Sequence, residues 1–184
     1  MRVRVSNFLV FLLGILGFKA APVQADVVVL CDPSGELSGE SIDPRYTGCV
    51  DITSWQWGVG RAISTGVGAG REISLPSFSE ITVSKEVDIA SLSLFENVTG
   101  SDVFPKLELY QDKCTDCGST RTPYVRLTME EVLISGFSES SGGQVPSESV
   151  SLNYTKIEWC YSRQDGKVEP LECVGYDLQT GKNY

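Results

Sequence analysis

The chain has 184 residues, with 24 acidic and 15 basic side chains, no histidine and a formal net charge of −9. Only 12 basic residues follow residue 25, against 24 acidic ones, and this acidity argues against binding to nucleic acids or anionic membranes. The absence of histidine excludes Ser-His-Asp and Cys-His nucleophilic sites and histidine-based zinc motifs, so we expect no catalytic residues, metal site, cofactor or enzymatic activity.

The first 25 residues have the features of a secretory signal peptide. Arg2 and Arg4 form a positively charged region, residues 8–18 are an apolar run, and Val23-Gln-Ala25 ends in small residues. The run is too short for a membrane-spanning helix, which needs about 20 apolar residues, so we predict cleavage after Ala25. Residues 26–184 are then a single exported domain, periplasmic or secreted from a bacterium, and no other stretch of this sequence is apolar enough to span a membrane.

Residues 26–184 are expected to form a mainly β domain, because short apolar or alternating stretches are separated by turn residues. We predict strands at residues 26–30, 49–59, 73–86, 103–110, 124–137, 149–161 and 174–178. The 73–86 stretch is a strand or a pair of strands broken at Pro76, and the 124–137 stretch is a strand or a hairpin interrupted at Glu130 and Glu131.

The stretch from Gly58 to Gly70 contains five glycines and is expected to be a flexible loop. It lacks the Gly-x-x-x-x-Gly-Lys-Ser/Thr pattern, and its glycines do not have the spacing of a dinucleotide-binding fingerprint. We therefore do not expect it to bind phosphate.

One helix is predicted, from Asp88 to Val98. Asp88 can cap its start, and Gly100 ends it. Its large apolar residues recur at helical spacing: Ile89, Leu92 and Phe95. We expect this stripe to face the core rather than to line a ligand groove.

The longest predicted strand covers residues 149–161, which contain neither Gly nor Pro. Its apolar residues change parity once: Val150, Leu152 and Tyr154 share one face, whereas Ile157, Trp159 and Tyr161 share the other. A bulge near Thr155 and Lys156 would produce this change. A long strand that switches faces is typical of a curved sheet or barrel.

This stretch, Ser149-Val-Ser-Leu-Asn-Tyr-Thr-Lys-Ile-Glu-Trp-Cys-Tyr161, resembles the penultimate strand of the haemolysin-coregulated protein (Hcp) family, the tube protein of type VI secretion. Four more blocks resemble the family in the same order: Leu37-Ser-Gly-Glu-Ser41, Ile52-Thr-Ser-Trp-Gln-Trp-Gly-Val59, Ile81-Thr-Val-Ser-Lys-Glu-Val-Asp-Ile-Ala-Ser91 and Gly175-Tyr-Asp-Leu-Gln-Thr-Gly-Lys-Asn183. The third block has the family's K-x-x-D-x-A-S pattern. The similarity covers nearly all of the chain after residue 30.

The resemblance implies a flattened β-barrel of two packed sheets with one short helix. It also implies a structural subunit that associates with itself into a homohexameric ring and carries an effector. In the family, the position of residues 58–70 is a long loop that reaches from one ring subunit toward another. The alternative is an exported, stand-alone binding module that recognises a surface protein or glycan. An enzyme with an unrecognised site is a weaker third hypothesis.

The predicted signal peptide departs from the family, whose tubes are understood to assemble in the cytoplasm. Either the chain is a divergent member that works in the periplasm or outside the cell, or its initiator methionine is misassigned upstream. The cysteines favour the first explanation, because an even number in an exported chain indicates a disulfide framework.

There are six cysteines: Cys31, Cys49, Cys114, Cys117, Cys160 and Cys173. Six cysteines allow 15 pairings. The order of the elements suggests Cys31 with Cys49, Cys114 with Cys117, and Cys160 with Cys173. For the Cys114-Thr-Asp-Cys117 motif we favour a structural disulfide over a zinc site, which needs a second ligand pair, and over a redox dithiol, which needs a following helix.

Overall fold

The computed structural model describes residues 26–65, 71–114, 121–163 and 170–184. The fold is mainly β with one helix, as expected from the sequence. The elements in chain order are β1 Val27–Cys31, β2 Val50–Asp51, β3 Ser54–Gln56, β4 Val59–Gly60, β5 Ile63–Thr65, β6 Arg71–Ile73, β7 Ser77–Phe78, β8 Ile81–Glu86, α1 Ala90–Thr99, β9 Phe104–Cys114, β10 Arg121–Ser140, β11 Ser147–Asn153, β12 Lys156–Tyr161, β13 Glu172–Asp177 and β14 Lys182–Asn183. Among the described residues, no helix has both the length and the apolar character needed to span a membrane.

The 20-residue strand β10 connects the two sheets of the fold. Its first half pairs with β9 and β12, and its second half pairs with β11. The strands β1, β13 and β14 extend the first sheet, while β8 and β3 extend the second. These pairings confirm two packed sheets, although the strand pairs of the described residues do not close into a barrel.

The two sheets enclose one apolar core. Alternate residues of β9 and β10 point into it, as the period of two in a strand requires. Its completely buried members include Ile81, Leu107, Leu109, Leu127, Met129, Val150 and Leu152.

The predicted single strand 149–161 is wrong in one respect, because the chain leaves the sheet at Tyr154 and Thr155. The residues before this point form β11 in the second sheet, and those after it form β12 in the first. The irregular residue lies instead on the partner strand, where Glu131 has a φ of 51°. Thr155 fastens this corner: its backbone N donates to the Glu130 carbonyl at 3.1 Å, and its Oγ1 donates to the Glu131 carboxylate at 2.8 Å.

Two other strand predictions also need correction. The 49–59 stretch is divided among β2, β3 and β4, and the 73–86 stretch among β6, β7 and β8. For the 124–137 stretch, the strand is confirmed over the alternative of a hairpin, because the stretch lies within β10, whose two halves pair with different partners.

The helix begins at Ala90, two residues later than predicted. Asp88 still caps it, since its Oδ1 accepts a hydrogen bond from the Ala90 backbone N at 3.0 Å. Gly100 follows its last residue, as predicted.

The prediction that the apolar stripe of α1 faces the core is wrong. Ile89, Leu92 and Phe95 are 52%, 70% and 56% exposed. The face toward the sheets consists of Ala90, Ser91, Leu94 and Asn97. Two of these residues are polar, and hydrogen bonds compensate their burial.

Candidate functional site

Residues 58–65 and 71–79 form two short antiparallel strand pairs, which we call the arm. In it β4 pairs with β7 and β5 pairs with β6, so that Val59 lies opposite Phe78 and Ile63 lies opposite Ile73. The prediction of a flexible loop from Gly58 to Gly70 is therefore wrong at β4 and β5, because both strands find partners beyond residue 70. Residues 66–70 lie outside the described part of the chain.

The arm presents large apolar side chains to solvent. Four of its residues are more than half exposed: Val59 at 53%, Ile63 at 58%, Ile73 at 59% and Leu75 at 75%. A two-stranded hairpin is only marginally stable by itself in water, and clustered exposed apolar residues mark interaction surfaces. These features make the arm a candidate contact with a partner.

The root of the arm is fixed to the body of the protein. Gly58 N donates to Ser79 Oγ at 2.9 Å, and Ser79 N donates to the Gly58 carbonyl at 2.8 Å. Tyr154, in the corner between β11 and β12, receives a hydrogen bond from Trp57 Nε1 at 2.7 Å and donates to the Ser79 carbonyl at 2.8 Å. Burial raises the pKa of the Tyr154 hydroxyl to about 12, so it remains a donor at neutral pH.

Aromatic contacts at the root add to these hydrogen bonds. The Phe78 ring lies between Tyr176 and Trp57, with ring centroids 4.8 Å and 6.2 Å apart. Such pairs contribute about 0.5–1.5 kcal/mol each beyond burial of their area. The root of the arm is therefore held against the body of the protein by both hydrogen bonds and aromatic contacts.

A second exposed apolar surface is the outer side of α1, which we call the helix face and define as Ile89, Leu92 and Phe95. The Phe95 ring packs edge-on against half-buried Phe137, with centroids 5.9 Å apart. Residues 86–102 contain four acidic residues and no basic one, so the helix face lies in an acidic part of the sequence.

The K-x-x-D-x-A-S block forms a buried ionic cluster. Lys85 Nζ lies 2.7 Å from Glu148 Oε2, 2.7 Å from Asp88 Oδ1 and 2.9 Å from Ser91 Oγ. The Lys85 and Glu148 side chains are 1% and 0% exposed. The cluster joins β8, β11 and the start of α1, so the residues of this block have a structural role.

Asp112 forms a second buried polar cluster, which the sequence did not indicate. Its carboxylate accepts a hydrogen bond from Tyr46 at 2.9 Å and pairs with the Arg45 guanidinium. Burial, followed by the neighbouring Asp112 charge, raises the pKa of Tyr46 above its usual value. These contacts fasten the loop before β2 to strand β9.

Two of the three suggested cysteine pairs lie at disulfide distance. The Sγ atoms of Cys31 and Cys49 are 2.03 Å apart, and those of Cys160 and Cys173 are 2.05 Å apart. Glu158 lies beside the second pair, but two sulfurs bonded to each other are not thiolate ligands for a metal.

The third suggested pair remains a prediction. Cys117 lies outside the described residues, as do the two residues between it and Cys114. The predicted cleavage after Ala25 also lies outside them.

Comparisons with known proteins agree with the fold and with the sequence motifs. Residues 30–161 match the family model described as "Type VI secretion system effector, Hcp". No curated protein sequence matches the chain.

Several solved structures share the fold. Hcp1 from Salmonella typhimurium is 21% identical, with a TM-score of 0.70 over 88% of this chain and all of that one. A structure described as a type six secretion system protein is 23% identical, with a TM-score of 0.77 over 87% of this chain and all of that one. The secreted protein Hcp3 from Pseudomonas aeruginosa is 15% identical, with a TM-score of 0.57 over 83% of this chain and 99% of that one.

At these sequence identities the structural similarity shows the fold alone, whereas the match to the family model shows membership of the family. That match covers more than two thirds of the chain and includes the blocks at Ser41, Lys85 and Tyr154. The chain therefore belongs to the Hcp family of type VI secretion system effectors, the structural tube-protein family that its motifs indicate.

Proposed function

We propose that this protein is a structural subunit that associates with copies of itself into a hexameric ring, and that the arm makes the contact between copies. The observation that carries the proposal is an arm fixed at its root, with four large apolar side chains more than half exposed. Burying these side chains against a second copy would supply the favourable free energy that the isolated strand pairs lack.

A ring of this kind encloses a lumen that can hold another molecule. The family that the chain matches is described as a type VI secretion system effector. We therefore include carriage of a secreted effector in the proposal. The acidic composition of residues 26–184 argues against a nucleic acid as the cargo.

The same proposal includes export through the leader at residues 1–25. Its support is the positive and apolar pattern of the leader, together with the two cysteine pairs at disulfide distance. Disulfides persist in oxidising compartments such as the bacterial periplasm. The ring would then function in the periplasm or outside the cell.

We also propose that the protein is not an enzyme. The sequence has no histidine, which is the commonest general acid or base. Both buried carboxylates of the described residues have structural partners: Glu148 pairs with Lys85, and Asp112 pairs with Arg45. A carboxylate held in this way does not reach a substrate.

A stand-alone exported binding module is the second candidate, favoured by the position of the disulfides. Cys31–Cys49 ties β1 to the residue before β2, and Cys160–Cys173 ties β12 to β13. A domain stabilised covalently in this way has less need of neighbouring subunits, and the arm would then contact a surface protein.

Substitution in the arm separates these candidates. Ile73→Glu places a charge on the exposed apolar surface, and Ser64→Glu is the matched control because it adds the same charge to an exposed polar residue of β5. We expect the Ile73→Glu protein to remain folded but monomeric by analytical ultracentrifugation, whereas the Ser64→Glu protein assembles like the unaltered chain. A ring that forms equally well with Ile73→Glu would contradict the role of the arm.

A further inference from the structure

The arm and the helix face lie at opposite ends of strand β8. Ser79, at the root of the arm, precedes β8, and Asp88, at the start of the helix, follows it. Six residues of strand span about 20 Å. Both surfaces remain exposed, so they do not cover one another within one chain.

The two surfaces also differ in charge. Residues 58–79, which include the arm, contain two arginines and one glutamate, whereas residues 86–102 contain four acidic residues and no basic one. Arg61 is exposed on the arm, and Glu96 is exposed one turn after Leu92, on the same side of α1. Apolar area and opposite charge therefore make the two surfaces complementary.

We propose that the helix face is the docking site for the arm of a second copy of this chain. This inference rests on the proposed self-association and names the acceptor surface. A contact between two different surfaces is heterologous, so each copy uses its arm on one neighbour and its helix face on the next. Such a contact produces closed rings or stacked arrays rather than two-fold dimers.

The proposed docking surface also explains why α1 has apolar side chains on its exposed side as well as on its buried side. Exposed Leu92 and Phe95 alternate with buried Ser91 and Leu94, so α1 has apolar side chains on two sides. Leu94 fills the core of the subunit itself, and the outward stripe is left for a partner.

Complementation between two variants tests the pairing. Ile73→Glu blocks the arm and leaves the helix face intact, while Leu92→Glu blocks the helix face and leaves the arm intact. Val174→Glu is the control, because Val174 is 63% exposed on β13 and belongs to neither the arm nor the helix face. Each blocked variant alone is expected to be monomeric by native mass spectrometry, and the control is expected to assemble.

An equimolar mixture of the two blocked variants retains one functional arm and one functional helix face per pair. We therefore expect one-to-one heterodimers and no larger species. If Leu92→Glu assembles like the unaltered chain while Ile73→Glu does not, the arm docks elsewhere, and this inference fails while the proposed ring survives. If both variants assemble normally, the inference fails together with the proposed role of the arm, while self-association itself stands.

Folding of the variants is checked independently. The stripe residues are exposed, so Leu92→Glu should retain the circular dichroism spectrum and melting temperature of the unaltered chain. Phe95→Ser is a second variant of the helix face that introduces no charge, and it should also weaken assembly. Normal assembly of Phe95→Ser together with normal assembly of Leu92→Glu would overturn the inference.

Discussion

Lys85 and Glu148 lie opposite each other on neighbouring strands and form an ion pair inside the protein, with Nζ 2.7 Å from Oε2. The two side chains are 1% and 0% exposed. The same lysine holds Asp88 and Ser91 at the start of α1. One lysine thus links the second sheet to the helix that carries the proposed docking surface.

Replacement of this lysine should be strongly destabilising. Lys85→Met leaves Glu148 buried without its cation, and breaking a buried pair typically costs about 3–5 kcal/mol. Urea denaturation would measure the loss in the free energy of unfolding. Lys156→Met is the control, because the Lys156–Glu130 pair is 38% and 37% exposed and should contribute less than about 1 kcal/mol. Equal losses for the two variants would contradict this account of the cluster.

The family motif in the sequence singled out three residues of this region, but it did not show that they form a buried ionic cluster. The K-x-x-D-x-A-S block identified Lys85, Asp88 and Ser91 through family resemblance. Their partner Glu148 lies 63 residues after Lys85, and no sequence motif pointed to it. Pairing between distant strands depends on register, which a single sequence does not reveal.

Gly39 occupies a position with no room for a side chain. A Cβ at this residue would lie 2.4 Å from the carbonyl oxygen of Cys49, which belongs to the backbone and cannot rotate away. We expect Gly39→Ala to lower the free energy of unfolding by about 1–3 kcal/mol, as overpacking does. Gly142→Ala is the control, since nothing lies within 4 Å of its Cβ position. Thermal denaturation of both variants tests the prediction, and an unchanged Gly39→Ala protein would refute it.

Glu131 adopts a backbone conformation that most residues avoid, with a φ of 51° at the corner where β10 passes from one sheet to the other. A β-branched residue is strained there, and valine also lacks the carboxylate that accepts a hydrogen bond from Thr155, so Glu131→Val should destabilise the protein by about 1–2 kcal/mol. Glu139→Val on the same strand should have little effect, because Glu139 is exposed and has no positive φ. Chemical denaturation would compare them, and similar stabilities would argue against strain at residue 131.

The alkaline stability of the protein should depend on Tyr154. Burial raises its pKa from 10.0 to about 12, so the folded state holds the phenolic proton more tightly than the unfolded state. The resulting stabilisation is complete below pH 10 and is lost as the pH rises toward about 12. Urea denaturation at a series of pH values should therefore show a shallower alkaline loss of stability in Tyr154→Phe. An identical slope in both proteins would contradict this assignment.

The surfaces proposed for assembly were the hardest part to predict. Helical spacing grouped Ile89, Leu92 and Phe95 correctly, but the period shows that residues share a face and not which face is buried. Small and polar residues pack toward the sheet here because Ser91 and Asn97 find hydrogen-bond partners there. In the arm, the glycines of residues 58–70 indicated a loop. The strands there are stabilised by partners that lie beyond residue 70, which the local pattern does not show.

Native mass spectrometry of the chain expressed with its own leader tests the central claim most directly. The account predicts a hexamer whose subunits start at Asp26 in the periplasmic fraction. A monomer at the same concentration would contradict the ring and leave an exported binding module stabilised by disulfides.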